Sequence, residues 1–310
     1  MLRTKMTLGV IVATVALAVT ACGGSSSPVS TTPAGGGSKS PAASDTIIVG
    51  SANFPESAVL ATIYEQALKA KGVKVSTKLN IGSREVYIKA LQDGSINLVP
   101  EYSGTLLQYF DKTATAVSPD DVFAALPAAV PAGLTVLNKS AAEDKDAIVV
   151  TKATAAKYHL TSIADLQKVA SKLTFGGPPE IKTRPDGLPG FKKNYNVVFG
   201  SFKSLDAGGP LSENALKNGQ VDGADIFTTD PLITKNGWVV LADPKNNFAA
   251  QNVLPLINTK KATDTVKTAL NAVSAQLTTQ DLIDLLTKVV QDKQDPDAAA
   301  KAWLSSKGLI

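Results

Sequence analysis

The chain has one cysteine and one histidine in 310 residues. A single cysteine leaves no internal disulfide. The two residues together cannot furnish a zinc site of two cysteines and two histidines, or one of four cysteines. A Ser-His-Asp triad would have to use His159, which lies in a Lys-Tyr-His-Leu stretch expected to be a surface turn. The Gly-x-Ser-x-Gly elbow of many hydrolases is missing as well. No catalytic residue, metal or cofactor is expected. Charge of one sign is also lacking: 31 Lys and Arg against 27 Asp and Glu give +4, spread along the chain. That is too weak an electrostatic footprint for a nucleic-acid partner. No short solenoid repeat is present. What is there is a chain with 44% hydrophobic and 19% charged residues, enough for a sizeable core. Its length suits two domains or one large one.

Residues 1–21 read as an export signal. Arg3 and Lys5 precede an uncharged apolar run over 8–19, shorter than the roughly 20 residues a membrane span needs. The run ends Val19-Thr20-Ala21-Cys22, which resembles the lipobox of bacterial lipoproteins. Small residues let the chain enter a peptidase groove, and the Cys22 thiol can take a diacylglyceryl group. Residues 22–44 then form a lipidated Cys and a flexible tether. Their Gly, Ser, Pro, Thr and Ala bury too little surface to offset the entropy of ordering. The expected location is outside the cytoplasm, anchored to the cell membrane by lipid.

From residue 46 the pattern alternates. Strands are expected over 46–50, 73–79 and 96–100, with helices from Pro55 to Gly72 and over 83–92. Strand, helix, strand, helix, strand is the signature of a parallel sheet under helices. Pro100 should close its strand, because proline does not suit a central ladder position. A second unit follows: strands over 147–151, 173–176, within 197–205, 223–227 and 238–241, with helices over 162–172 and 211–218. A strand over 253–258 and a helical tail over 264–306 complete the chain. Ligands in open α/β sheets lie beyond the carboxyl ends of strands. The loops after Gly50, Pro100, Phe175 and Phe227 are therefore the places where a site is expected.

Those loops carry GSANFPES (50–57), EYSGT (101–105), RPDGLPG (184–190) and FTTD (227–230). In order and spacing they resemble the substrate-binding proteins of glycine betaine/choline/proline-betaine ABC importers, from about residue 46 to 310. The resemblance implies an α/β, two-lobed class II periplasmic-binding fold, each lobe a sheet flanked by helices. One lobe would comprise residues 45–142 plus 251–310 and the other 143–250, with two crossover segments as the hinge. It implies a monomer that captures a quaternary-ammonium osmoprotectant between its lobes and delivers it to a membrane permease driven by an ATPase. A different polar or aromatic solute, or a sensor lipoprotein that transports nothing, are the alternatives left open.

A quaternary ammonium donates no hydrogen bond, so electron-rich faces must hold it. By resemblance, Tyr102 is a cage tyrosine, and Phe227 is either a second face or a core residue. Arg184 offers a planar fork for a carboxylate, unless it folds onto Asp186. Thr105, at a helix start, can meet an anion or cap the helix. Asn53 and Ser57 are cleft donors or caps of the first helix. Glu101 and Asp230 are expected to organise loops, and Tyr195 to be structural. The chain also departs from the family. Ala52 stands where many relatives have Lys, and relatives place cage tyrosines near Asp146 and near Gln251. Here Asp146 could attract a cation by charge and Gln251 could hydrogen-bond a hydroxyl, so the cleft is expected to be more polar than a betaine cage.

Overall fold

The computed structural model describes residues 45–310. The export signal, Cys22 and the tether lie outside the described residues. The chain opens with β1 (Ile47–Gly50), α1 (Pro55–Ala70), β2 (Val75–Lys78), α2 (Arg84–Gln92) and β3 (Leu98–Tyr102). Next come α3 (Ser103–Phe110), α4 (Pro119–Ala129) and β4 (Leu134–Val136). It then crosses into β5 (Asp146–Val150), α5 (Lys152–Tyr158), two 3-10 turns, β6 (Thr174–Gly177), α6 (Leu188–Tyr195) and β7 (Ser201–Ser204). After α7 (Pro210–Lys217), β8 (Gly223–Phe227), α8 (Pro231–Asn236) and β9 (Val239–Val240) it crosses back into β10 (Val253–Asn258). The helices α9 (Asp264–Gln276), α10 (Thr279–Leu286) and α11 (Pro296–Ser306) finish the described chain. Pro occupies the first position of α1, α4, α7, α8 and α11, where its missing N–H costs nothing.

Two five-stranded mixed sheets result, in the orders β2-β1-β3-β10-β4 and β7-β6-β8-β5-β9. In each, three strands are parallel, and the fourth is the strand that arrives from the other lobe, antiparallel to its neighbours. Helices cover both faces. In the first lobe Leu60, Ile63 and Leu68 of α1 pack with Leu270 of α9 and Trp303 of α11 on one side. Ile88, Leu106 and Leu126 of α2, α3 and α4 cover the other. Phe175, Phe191 and Leu166 form one core of the second lobe, and Leu216, Val221 and Trp238 the other.

The two crossing segments pair with each other. Asp144 N–H donates to the Gln251 carbonyl at 3.2 Å, and Val253 N–H to the Ala142 carbonyl at 3.0 Å. The Gln251 N–H donates to the Glu143 carboxylate at 3.0 Å.

Two expectations fail. Pro100 does not end β3 but sits inside it, in the middle strand of its sheet, opposite Pro255 of β10. The Pro255 carbonyl instead accepts from Leu137 N–H on the far side. The prolines thus face each other as a non-hydrogen-bonded pair, in which neither N–H would have pointed across. The parallel pairing of β3 with β1 stops at Leu98, so that edge loses no donor at Pro100 either. The helix expected over 162–172 is two 3-10 turns, Ile163–Lys168 and Ala170–Lys172. Ser162 and Asp165 do form a capping box there, but Ile163 and Leu166 stand three apart, the spacing a 3-10 turn stacks.

Candidate functional site

The carboxyl ends of β1, β3, β6 and β8 converge on a cavity of about 50 Å³ between the lobes. Asn53, Tyr102, Thr105, Asp146, Arg184, Phe227 and Gln251 all line it. Ser57 does not. Its hydroxyl is fully buried and accepts the Ala52 N–H at 2.9 Å, fixing the loop after β1 instead of reaching the cleft. Asp146 and Phe227 are cross-strand partners at the cleft end of β5 and β8. Gly208 lies against the Phe227 ring with φ +59°, and a Cβ there would come within 2.6 Å of the ring.

Four aromatic rings line the cavity, two of which the sequence did not suggest. Phe54 stands 5.9 Å from Tyr102 and 4.9 Å from Phe227, centroid to centroid, and so bridges the lobes. Tyr87 comes from α2, one turn after Arg84. Phe54 lies inside the first motif, but beside Pro55 and Val59 it has the pattern of a core residue. Tyr87 and Arg84 share a helix face, a signal available in their i, i+3 spacing.

Buried ionic groups hold the two tyrosines. Arg84 donates to both oxygens of fully buried Glu101 at 2.8–3.2 Å. Glu101 also accepts from the Tyr87 hydroxyl at 2.8 Å and the Tyr102 N–H at 3.0 Å. Expected to organise a loop, it lies instead inside β3 and ties that strand to α2. The Tyr102 hydroxyl donates to Glu56 at 2.7 Å, and the other Glu56 oxygen accepts from Thr229 of the second lobe at 2.7 Å. Gln251 accepts the Thr105 N–H at 3.0 Å, so that helix-start amide is already occupied. The Gln251 Nε2 is buried without a partner. Arg184 does not fold onto Asp186. It reaches across the cleft to Glu85 of α2, Nε to Oε1 at 3.2 Å and Nη2 to Oε2 at 3.1 Å. Asp230 caps α8 through the Leu232 N–H at 2.7 Å. The Tyr195 hydroxyl joins Asp243 to the Lys245 N–H, away from the cavity. His159 sits exposed at the end of α5, on the turn expected of it.

A family model for the substrate-binding domain of ABC-type glycine betaine transport systems matches residues 45–306. The chain belongs to this family. Its members are extracytoplasmic solute-binding components that work with a permease and an ATPase. The chain is 26% identical over 273 residues to the carnitine transport binding protein OpuCC of Listeria monocytogenes, covering 86% of this chain and 88% of that one. It is 25% identical over 280 residues to the glycine betaine-binding protein YehZ of Escherichia coli, covering 86% and 92%. A crystal structure of a glycine betaine/carnitine/choline ABC transporter protein superposes with a TM-score of 0.67 at 24% identity, over 85% of this chain and 99% of that one. The two-lobed α/β architecture is thereby the family's own. Among the described residues, no helix is long and apolar enough to cross a membrane.

Acidic groups crowd the cleft. Burial pushes the Asp144 carboxyl well above its usual range, and the charge of Glu56 adds to the shift. Glu56 is raised too, by burial, against the hydrogen bonds from Thr229 and Tyr102. Asp146 is raised by burial although Arg184 and Arg84 pull it down. Behind it, burial and the charge of Asp146 lift Asp186 to about 6, and burial with the charges of Asp146 and Asp186 lifts Asp225 well up. Each of these carboxyls is harder to ionise than in water, and a positive charge brought beside it would favour its ionised form.

Proposed function

We propose that this protein is a lipid-anchored, monomeric solute-binding component of an importer, which captures a compact quaternary-ammonium solute between its lobes and delivers it to the permease. It binds its solute without turning it over. The observation that carries the reading is one cavity framed by Phe54, Tyr87, Tyr102 and Phe227 together with Asp144 and Asp146. Aromatic faces and carboxylates are the two surfaces that attract a cation unable to donate a hydrogen bond. Asp144 and Asp146 stand near one position where relatives carry a tyrosine, and their carboxylates would replace that part of a cage. Gln251, another wall residue, has an Nε2 buried without a partner, a donor for an oxygen at the solute's other end. Cys22 would carry the lipid that keeps the domain near its permease.

Calorimetry with choline, glycine betaine and carnitine tests this. At least one should bind, and Tyr102→Ala or Phe54→Ala should weaken it by about 2- to 30-fold, the worth of one aromatic face. A folded wild-type protein that binds none of the three would refute the reading.

A further inference from the structure

The inner cavity has two basic residues in its walls, Arg84 and Arg184. Neither is free. Arg84 spends its fork on Glu101, whose remaining capacity is taken by Tyr87 and the Tyr102 amide. Arg184 lays Nε and Nη2 on the two oxygens of Glu85, in the side-by-side geometry that a carboxylate ligand would need. Glu85 does not line the inner cavity. It lines an outer one of about 400 Å³, which shares Arg84, Thr105 and Arg184 with the inner cavity and also contains Lys112. The pair therefore stands between the two spaces, with Glu85 approaching Arg184 from outside.

We propose that Glu85 is a built-in rival for Arg184, a specificity-determining residue that turns the cleft against solutes bearing a carboxylate and towards quaternary-ammonium alcohols. The inference rests on the reading of the cavity as a cation site. A carboxylate entering the inner cavity competes with Glu85 for the Nε–Nη2 edge of Arg184, and it approaches past Asp144, Asp146 and Glu180, three more acidic wall residues. Glu180 lies 3.7 Å from Arg184 and adds to the competition. A hydroxyl carries no charge, leaves the Glu85–Arg184 pair in place, and can accept from Gln251 Nε2. The pair is firm despite the 42% exposure of the Glu85 side chain. Burial opposes ionisation of Glu85, yet the hydrogen bonds and charge of Arg184 hold its carboxyl down at about 2. The pair also ties α2 of the first lobe to the loop after β6 in the second. A strap alone, however, would serve every solute equally.

Choline and glycine betaine separate these roles, because they share the trimethylammonium group and differ in hydroxymethyl against carboxylate. Wild type should bind choline more tightly. Glu85→Gln should shift the glycine betaine to choline affinity ratio towards glycine betaine by about tenfold, the scale of one charge-assisted hydrogen bond. In an Arg184→Gln background the same change should leave the ratio alone. A ratio unmoved by Glu85→Gln while both solutes bind, or an equal loss for both, overturns the inference and leaves Glu85 as a strap. If wild type and variants bind neither solute, the cation-site reading falls, and this inference with it.

Discussion

Asp186 stands where the second lobe's acids meet, 6% exposed, with its carboxyl raised from 3.8 to about 6 by burial and by the charge of Asp146. In the unfolded chain it titrates at its ordinary value. Between that value and 6 the folded form therefore holds the extra proton. Its contribution to stability is complete below the unfolded value and is lost as pH rises through 6. Asp230 at about 6 and Glu213 at about 7, both raised chiefly by burial, act in the same direction. Glu85 and Asp165, held near 2, act in the opposite sense, losing their contribution only as pH falls from their ordinary values towards 2. The solute-free protein should accordingly melt at a lower temperature at pH 8 than at pH 5. Asp186→Asn should remove about 1 kcal/mol of that dependence, one pKa unit's worth between pH 5 and 6. Thermal scans across pH in both proteins check this; a dependence that Asp186→Asn leaves intact would place the proton elsewhere.

The helix α3 starts hard against the returning crossover. A Cβ on Gly104 would lie 2.6 Å from the Ala250 carbonyl oxygen and 3.0 Å from the Ala249 Cβ. Backbone cannot step aside as a flexible side chain can. Gly104→Ala should cost about 1–3 kcal/mol, as overpacking does, and loosen the Thr105–Gln251 bond. Urea unfolding measures the first effect and solute affinity the second. At this scale the limits of reading the sequence are also plainest. The strands β1, β8 and β10 were legible because short apolar runs with flanking turn residues admit little else. The register of β3 was not, because a lone proline reads as a terminator until its partner Pro255 is known. The helices α4 and α6 contain proline near or inside them, which hid their periodicity. Within the site, the motifs led to loops that gather round one cavity, since loops after parallel strands meet at one edge. Tyr87, Arg84 and Glu85 escaped because they belong to a helix whose site-facing side is fixed only by the cavity it meets. Arg184 lines the cavity, but its partner lies 99 positions away in sequence, a pairing no local pattern reveals.

For the molecule as a whole, Glu85–Arg184, Glu56–Thr229 and Phe54–Phe227 span the lobes, and each borders the cavity or the residues behind it. A guest that strengthens these seams favours the closed arrangement only by the difference in its contacts between the two states. Small-angle scattering should thus show a smaller radius of gyration at saturating choline. An unchanged curve with choline bound would mean that capture proceeds without closure. The paired crossing segments, meanwhile, give the molecule a spine and not a swivel. Hydrogen bonds join residues 142–144 to 251–253 edge to edge. Twisting one lobe about the long axis would shear those bonds, whereas flexing the ribbon through its thin direction leaves them whole. Asp144 and Gln251 lie on that spine, so a solute touching them sits at the fulcrum of two levers. A rotation too slight to disturb its own contacts is multiplied along each lobe into a displacement at the rim.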